Sequence, residues 1–171
     1  MRMQVAHQFV KSIKNVITIG HRYVAGEQIP YNKAVSYIIK NAIVGEYPDM
    51  GIAPNMVMVS QGNLMGAEEC TAIKEESGKV IFSWNIADEN GQNVLKEKAA
   101  KHPKMRTDNT AWLVAYNFAK QEAKVDQTSR GEGHGTIETP ADWIGDGIGC
   151  YLFFASNQDE AVSDSQFLGM I

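Results

Sequence analysis

The 171-residue chain has two cysteines, Cys70 and Cys150, too few for a disulfide framework or a four-ligand zinc knuckle. Both are expected to be free and buried, a bridge between them being the alternative, with Cys150 packed as a small hydrophobe in an apolar strand. No apolar run approaches the ~18 residues of a membrane-spanning helix. Residues 1–10 are interrupted by Gln4, His7 and Gln8, so no signal-peptide pattern is visible and the cytoplasm is the default expectation. The four histidines, His7, His21, His102 and His134, have no zinc-like spacing to each other or to a cysteine. There is no Gly-x-Ser-x-Gly elbow. Gly131-Glu132-Gly133-His134-Gly135 is rich in glycine but lacks the Lys-Ser or Lys-Thr of a phosphate loop. These absences predict no catalytic residue, no metal ligand and no cofactor, and so no enzyme.

What is present reads as a folded chain, with charge at 21% of residues. The charge is uneven. Residues 1–46 hold six Lys or Arg and two acids, while the remainder holds ten and eighteen. The cations of the first part are spaced singly, as on solvated helix faces, so nucleic acid is not an expected partner.

Val5, Phe9, Ile13, Val16 and Ile17 recur at three- and four-residue intervals and predict one amphipathic helix over residues 4–19. A second helix is predicted from Pro30, with Tyr31, Val35, Ile38, Ile39, Ala42 and Ile43 on its apolar face and Gly45 as its C-terminal cap. After Pro48 the pattern changes to short strands: 56–60, 70–74, 79–84, 111–116, 121–128, 135–139, 148–155 and 163–168. Val80, Phe82 and Trp84 alternate onto one face, and Trp84 and Trp112 are expected in the core. Asn93 to His102, made of good helix formers, reads as a helical or disordered insertion between neighbouring strands.

Few residues suggest chemistry. Asp142 and Asp146 flank Trp143, and two acids beside an aromatic could serve glycoside binding or cleavage. The same residues also make an acidic turn whose tryptophan plugs the end of a β-domain. Asp88-Glu89-Asn90-Gly91-Gln92-Asn93 misses the calcium-loop spacing and reads as a turn. Lys96, Lys98, Lys101, Lys104 and Arg106 form the densest basic cluster, without an aromatic for base stacking.

Ala34-Val35-Ser36-Tyr37, with Lys40-Asn41-Ala42-Ile43-Val44-Gly45-Glu46-Tyr47-Pro48, resembles a motif of an uncharacterised bacterial family, a domain of unknown function. The resemblance continues through Val59-Ser60-Gln61-Gly62-Asn63-Leu64, 80–84, 113–117 and 145–154, and ends at Val162-Ser163-Asp164-Ser165. It implies no activity. Two departures are a missing glycine-rich opening and the elaborated loop over 94–106. Trp84 at the end of an early strand, and Pro140 before Cys150-Tyr151, resemble a fibronectin type III module. The expected fold is therefore α+β: a helical pair over residues 1–47, then an antiparallel immunoglobulin or fibronectin type III-like β-sandwich over 48–171. The expected function is a non-enzymatic interaction or structural module that binds protein or self-associates. The alternative is a carbohydrate-binding or glycan-processing protein using Asp142, Trp143 and Asp146.

Overall fold

The computed structural model describes residues 1–24, 26–86 and 106–171. The expected insertion over 93–102, the turn at 88–93 and the lysines of the basic cluster lie outside the described residues. Among the described residues the fold is mixed α+β, with three helices and antiparallel sheets.

Three helices replace the expected pair. The stretch read as one helix divides into α1 (Arg2–Ser12) and α2 (Lys14–Gly20), because Ile13 leaves the helical region at φ −122° and ψ 28°. The break does not shift the stripe, and Phe9, Ile13, Val16 and Ile17 are all buried. The third helix, α3 (Pro30–Asn41), opens on a proline, whose fixed φ suits the first turn.

Gly45 does not cap α3. The chain leaves the helix at Ala42 and enters β1 (Ile43–Val44), which pairs with β2 (Gly51–Ile52). Gly45 lies in the turn of this hairpin at φ +79°, and a Cβ there would come within 2.4 Å of the Asp49 carbonyl oxygen. Residues 47 and 48, where the sequence changes character, sit in the same turn.

The remaining strands form two sheets. The smaller orders β3 (Thr71–Lys74), β4 (Lys79–Ser83) and β7 (His134–Glu138). The larger orders β10 (Gln166–Met170), β8 (Ile148–Ser156), β5 (Thr110–Asn117) and β6 (Glu122–Ser129), with β9 (Ala161–Val162) also on β8. The strand expected at 163–168 begins only at Gln166, and Ser163 to Ser165 connect β9 to β10. The expected strand at 56–60 is absent. A 3-10 turn at Pro54–Met56 leads into extended chain that carries buried Val57 and Val59 without a regular ladder.

The larger sheet is buried on both faces. On one, Val114, Tyr116, Tyr151 and Phe153 pack with Phe9, Val10, Ile13, Val16, Val35 and Ile38 of the helices. On the other, Leu113, Ala115, Cys150, Leu152 and Phe154 pack with Val80, Phe82 and Ile137 of the smaller sheet. The result is three layers: helices, five-stranded sheet, three-stranded sheet. It explains why β8 reads as an unbroken apolar run, since all nine of its residues are buried. Each large side chain buried this way contributes roughly 1.5–3 kcal/mol. The helices therefore dock on the sheet of their own chain.

The two strand tryptophans differ. Trp84 is 4% exposed, lies between the sheets and donates its indole N–H to the Arg130 carbonyl at 2.8 Å. Trp112 faces the helical side instead, only partly buried and stacked on Phe153 at 5.8 Å. Its register partner is Phe153, one residue off the inner face. No helix among the described residues is long and apolar enough to cross a membrane.

Candidate functional site

The acidic turn joins β7 to β8. Pro140 precedes a 3-10 turn over Ala141–Trp143, which folds the indole of Trp143 inward. Trp143 is fully buried in the core between the sheets, and its ring nitrogen has no partner. Asp142 is exposed. Asp146 is half-buried and accepts a 2.7 Å hydrogen bond from the Asn117 amide. Lys120 Nζ lies 3.3 Å from Asp142 and 3.8 Å from Asp146. The Lys74 ammonium donates to the carbonyls of Trp143 and Asp146 at 3.3 and 3.2 Å. The structure thus brings Asp142 and Asp146 to one cation and encloses the ring between them. Chemically this is a latch: two lysines and an amide tie the turn to β3 and to the end of β5.

A second cluster joins two motifs that are distant in sequence. The Ser60 hydroxyl donates to the Ser163 carbonyl at 2.5 Å, and the Ser165 amide donates to the Ser60 carbonyl at 3.0 Å. The amides of Val59 and Phe154 donate to the hydroxyls of Ser165 and Ser163, at 3.0 and 2.9 Å. The Gly62 amide donates to Asp164 Oδ1 at 3.0 Å. Serine oxygens stand in for the ladder partners that the 56–60 segment lacks. The backbones approach so closely that a Cβ on Gly62 would lie 2.0 Å from the Val162 carbonyl oxygen. Above this junction an open cleft of about 500 Å³ is lined by Tyr23, Lys33, Gln61, Asn63, Glu160 and Asp164. Under it, His21 is fully buried, with Nε2 3.1 Å from the Met58 carbonyl and Nδ1 unpartnered.

Arg130 was not foreseen. It is 1% exposed, lies 4.1 Å over the ring of Phe154, and donates to the Met65 carbonyl at 2.7 Å and to that of Gly66. Burial lowers its pKa to about 10. Its place between a polar strand and a glycine turn gave no periodic signal in the sequence. Arg106 of the basic cluster pairs with Asp159 at 2.9 Å.

On the outer side of the helical layer, Met3, His7, Val35 and Ile39 line a shallow apolar groove of about 290 Å³ between α1 and α3. His7 is held beside it by Tyr31, ring on ring at 5.5 Å and with Nδ1 3.0 Å from the phenol oxygen.

A model of a family of unknown function, DUF6266, matches residues 1–169 of the chain. No curated protein and no solved structure matches it.

Proposed function

This chain belongs to DUF6266, a family of unknown function, and we propose that it is a non-catalytic interaction module that binds protein, copies of itself included. The observation that carries the reading is where apolar surface remains in water. Twelve large hydrophobic side chains are exposed among the described residues, and six of them fall within residues 1–47: Met1, Met3, Tyr23, Ile29, Val44 and Tyr47. Met3 lies on α1 at the α1–α3 groove, and the other five lie in the segments that flank the helices, so this part of the chain still presents apolar side chains to water. Covering such surface returns roughly 25 cal/mol per Å².

The β-layers support a fibronectin type III-like sandwich as the scaffold. A three-strand order β3-β4-β7 faces β10-β8-β5-β6, with Trp84 between them. That scaffold hosts many functions, so the site must carry the argument. The glycan alternative draws less support, because stacking on a sugar needs an open ring face and Trp143 has none.

Sedimentation velocity at low and high micromolar concentration tests the reading. The intact chain should gain mass with concentration, and Met3→Lys with Ile29→Lys should abolish the gain without changing the circular dichroism spectrum. A chain that stays monomeric throughout, or a double variant that associates as well as the parent, would sink the self-assembly reading.

A further inference from the structure

We infer that the cavity between α1, β2 and the turn of the β5–β6 hairpin binds a small neutral molecule carrying one or two rings, and that Gly51 keeps this site open. The cavity holds about 340 Å³. Its floor is an aromatic cluster. Phe9 meets Tyr116 edge-on at 4.9 Å and stacks on Phe118 at 6.0 Å, and Tyr116 meets Phe118 edge-on at 4.7 Å. Val5 and Ile52 add aliphatic lining. The Tyr116 hydroxyl is engaged by the Ser12 hydroxyl at 2.9 Å, so it does not compete for a ligand.

No lining residue is charged, which selects against ions. Two amides stand at the rim. Gln8 Nε2 donates to Gln121 Oε1 at 2.5 Å, which leaves Gln8 Oε1 as an acceptor and Gln121 Nε2 as a donor. An apolar concavity with a few convergent polar groups is the usual form of a small-molecule site. A cavity of about 150 Å³ accepts benzene, so this one has room for one or two fused rings.

Gly51 supplies the independent observation. Every other described glycine has either a positive φ or an atom within 4 Å of where a Cβ would stand. Gly51 has neither. It lies in a strand, where glycine costs about 0.5–1 kcal/mol relative to alanine. Backbone and packing would both accept a side chain here: a Cβ would meet open space, and Gly51 is itself a lining residue.

Indole is the probe, followed by NMR on the full chain. It should shift the signals of Phe9, Phe118 and Ile52. Gly51→Leu should weaken binding about tenfold or more without lowering Tm. Gln8→Ala should weaken it by a smaller factor, and this variant keeps the test valid if Gly51→Leu fails to fold. Indole-3-acetate, which carries a carboxylate, should bind less well than indole. The Met3→Lys, Ile29→Lys variant should bind indole as the parent does, which separates this site from the association surface. No shifts at millimolar indole, or full affinity in a natively folded Gly51→Leu chain, would overturn the inference.

Discussion

Acid should loosen this protein through one buried imidazole. His21 ends α2, is fully buried, and has its Nε2 against the Met58 carbonyl with no partner for Nδ1. The neutral ring with its proton on Nε2 fits this site. The imidazolium would add a second N–H with no acceptor. Burial lowers the pKa below the ordinary histidine value, the Met58 carbonyl opposes this, and the Lys33 ammonium of α3 adds to it. The sign follows from linkage. Below pH ~6.5 the unfolded chain takes up a proton that the folded chain resists, so stability is complete above that pH and falls as pH drops towards the folded pKa. The slope for one group is at most about 1.4 kcal/mol per pH unit. Urea unfolding followed by tryptophan fluorescence, repeated at intervals between neutral pH and pH ~5, would measure it. His21→Gln is the comparison, since its amide can still donate to the Met58 carbonyl but does not titrate. Its profile should be flatter than the parent's over this window. His7, His102 and His134 remain in both chains and cancel in the difference. Parallel profiles would refute the reasoning and place the pH dependence elsewhere.

Three further outcomes are expected. Trp84→Ala should cost roughly 3–5 kcal/mol by calorimetry or urea unfolding, because it opens a cavity between the sheets and removes the shorter of two hydrogen bonds to the Arg130 carbonyl; a loss below about 1 kcal/mol would contradict the placement of its ring. A thiol reagent should find two free thiols in the denatured chain and react slowly with the native one, since burial raises Cys70 to about 11 and Cys150 to about 12. Arg130→Met should destabilise by about 2 kcal/mol or more, because the carbonyls of Met65 and Gly66 lose their donors; unchanged unfolding would show that water replaces the guanidinium there.

The sequence carried the elements whose burial is periodic. The stripe from Phe9 to Ile17, the alternation of Val80, Phe82 and Trp84, and the apolar run of β8 each reflect a surface covered in a regular way. The break at Ile13 was invisible because the stripe keeps its phase across it. Gly45 was misread because a positive φ serves a hairpin turn and a helix cap equally well. Trp112 alternates as Trp84 does, but periodicity says which residues share a face and not which layer covers it. The serine junction left no pattern, since hydroxyls replacing a ladder follow no period. The acidic turn was legible because Asp142, Trp143 and Asp146 are local in sequence. The aromatic cavity was not, because Gln8 and Gln121 meet across more than a hundred residues.

The two-sided burial of the larger sheet also bears on how the chain is made. Synthesis delivers the helices before the residues that cover their apolar side, Val114, Tyr116, Tyr151 and Phe153. β8 is the element on which both cores close, and it begins at residue 148 of 171. Until β5 and β8 leave the ribosome, Phe9, Ile13, Val16 and Ile38 lack the sheet that covers them. Contacts so distant in sequence close slowly. The nascent chain therefore carries a sticky helical segment, which a chaperone or another nascent copy can reach before its own sheet does.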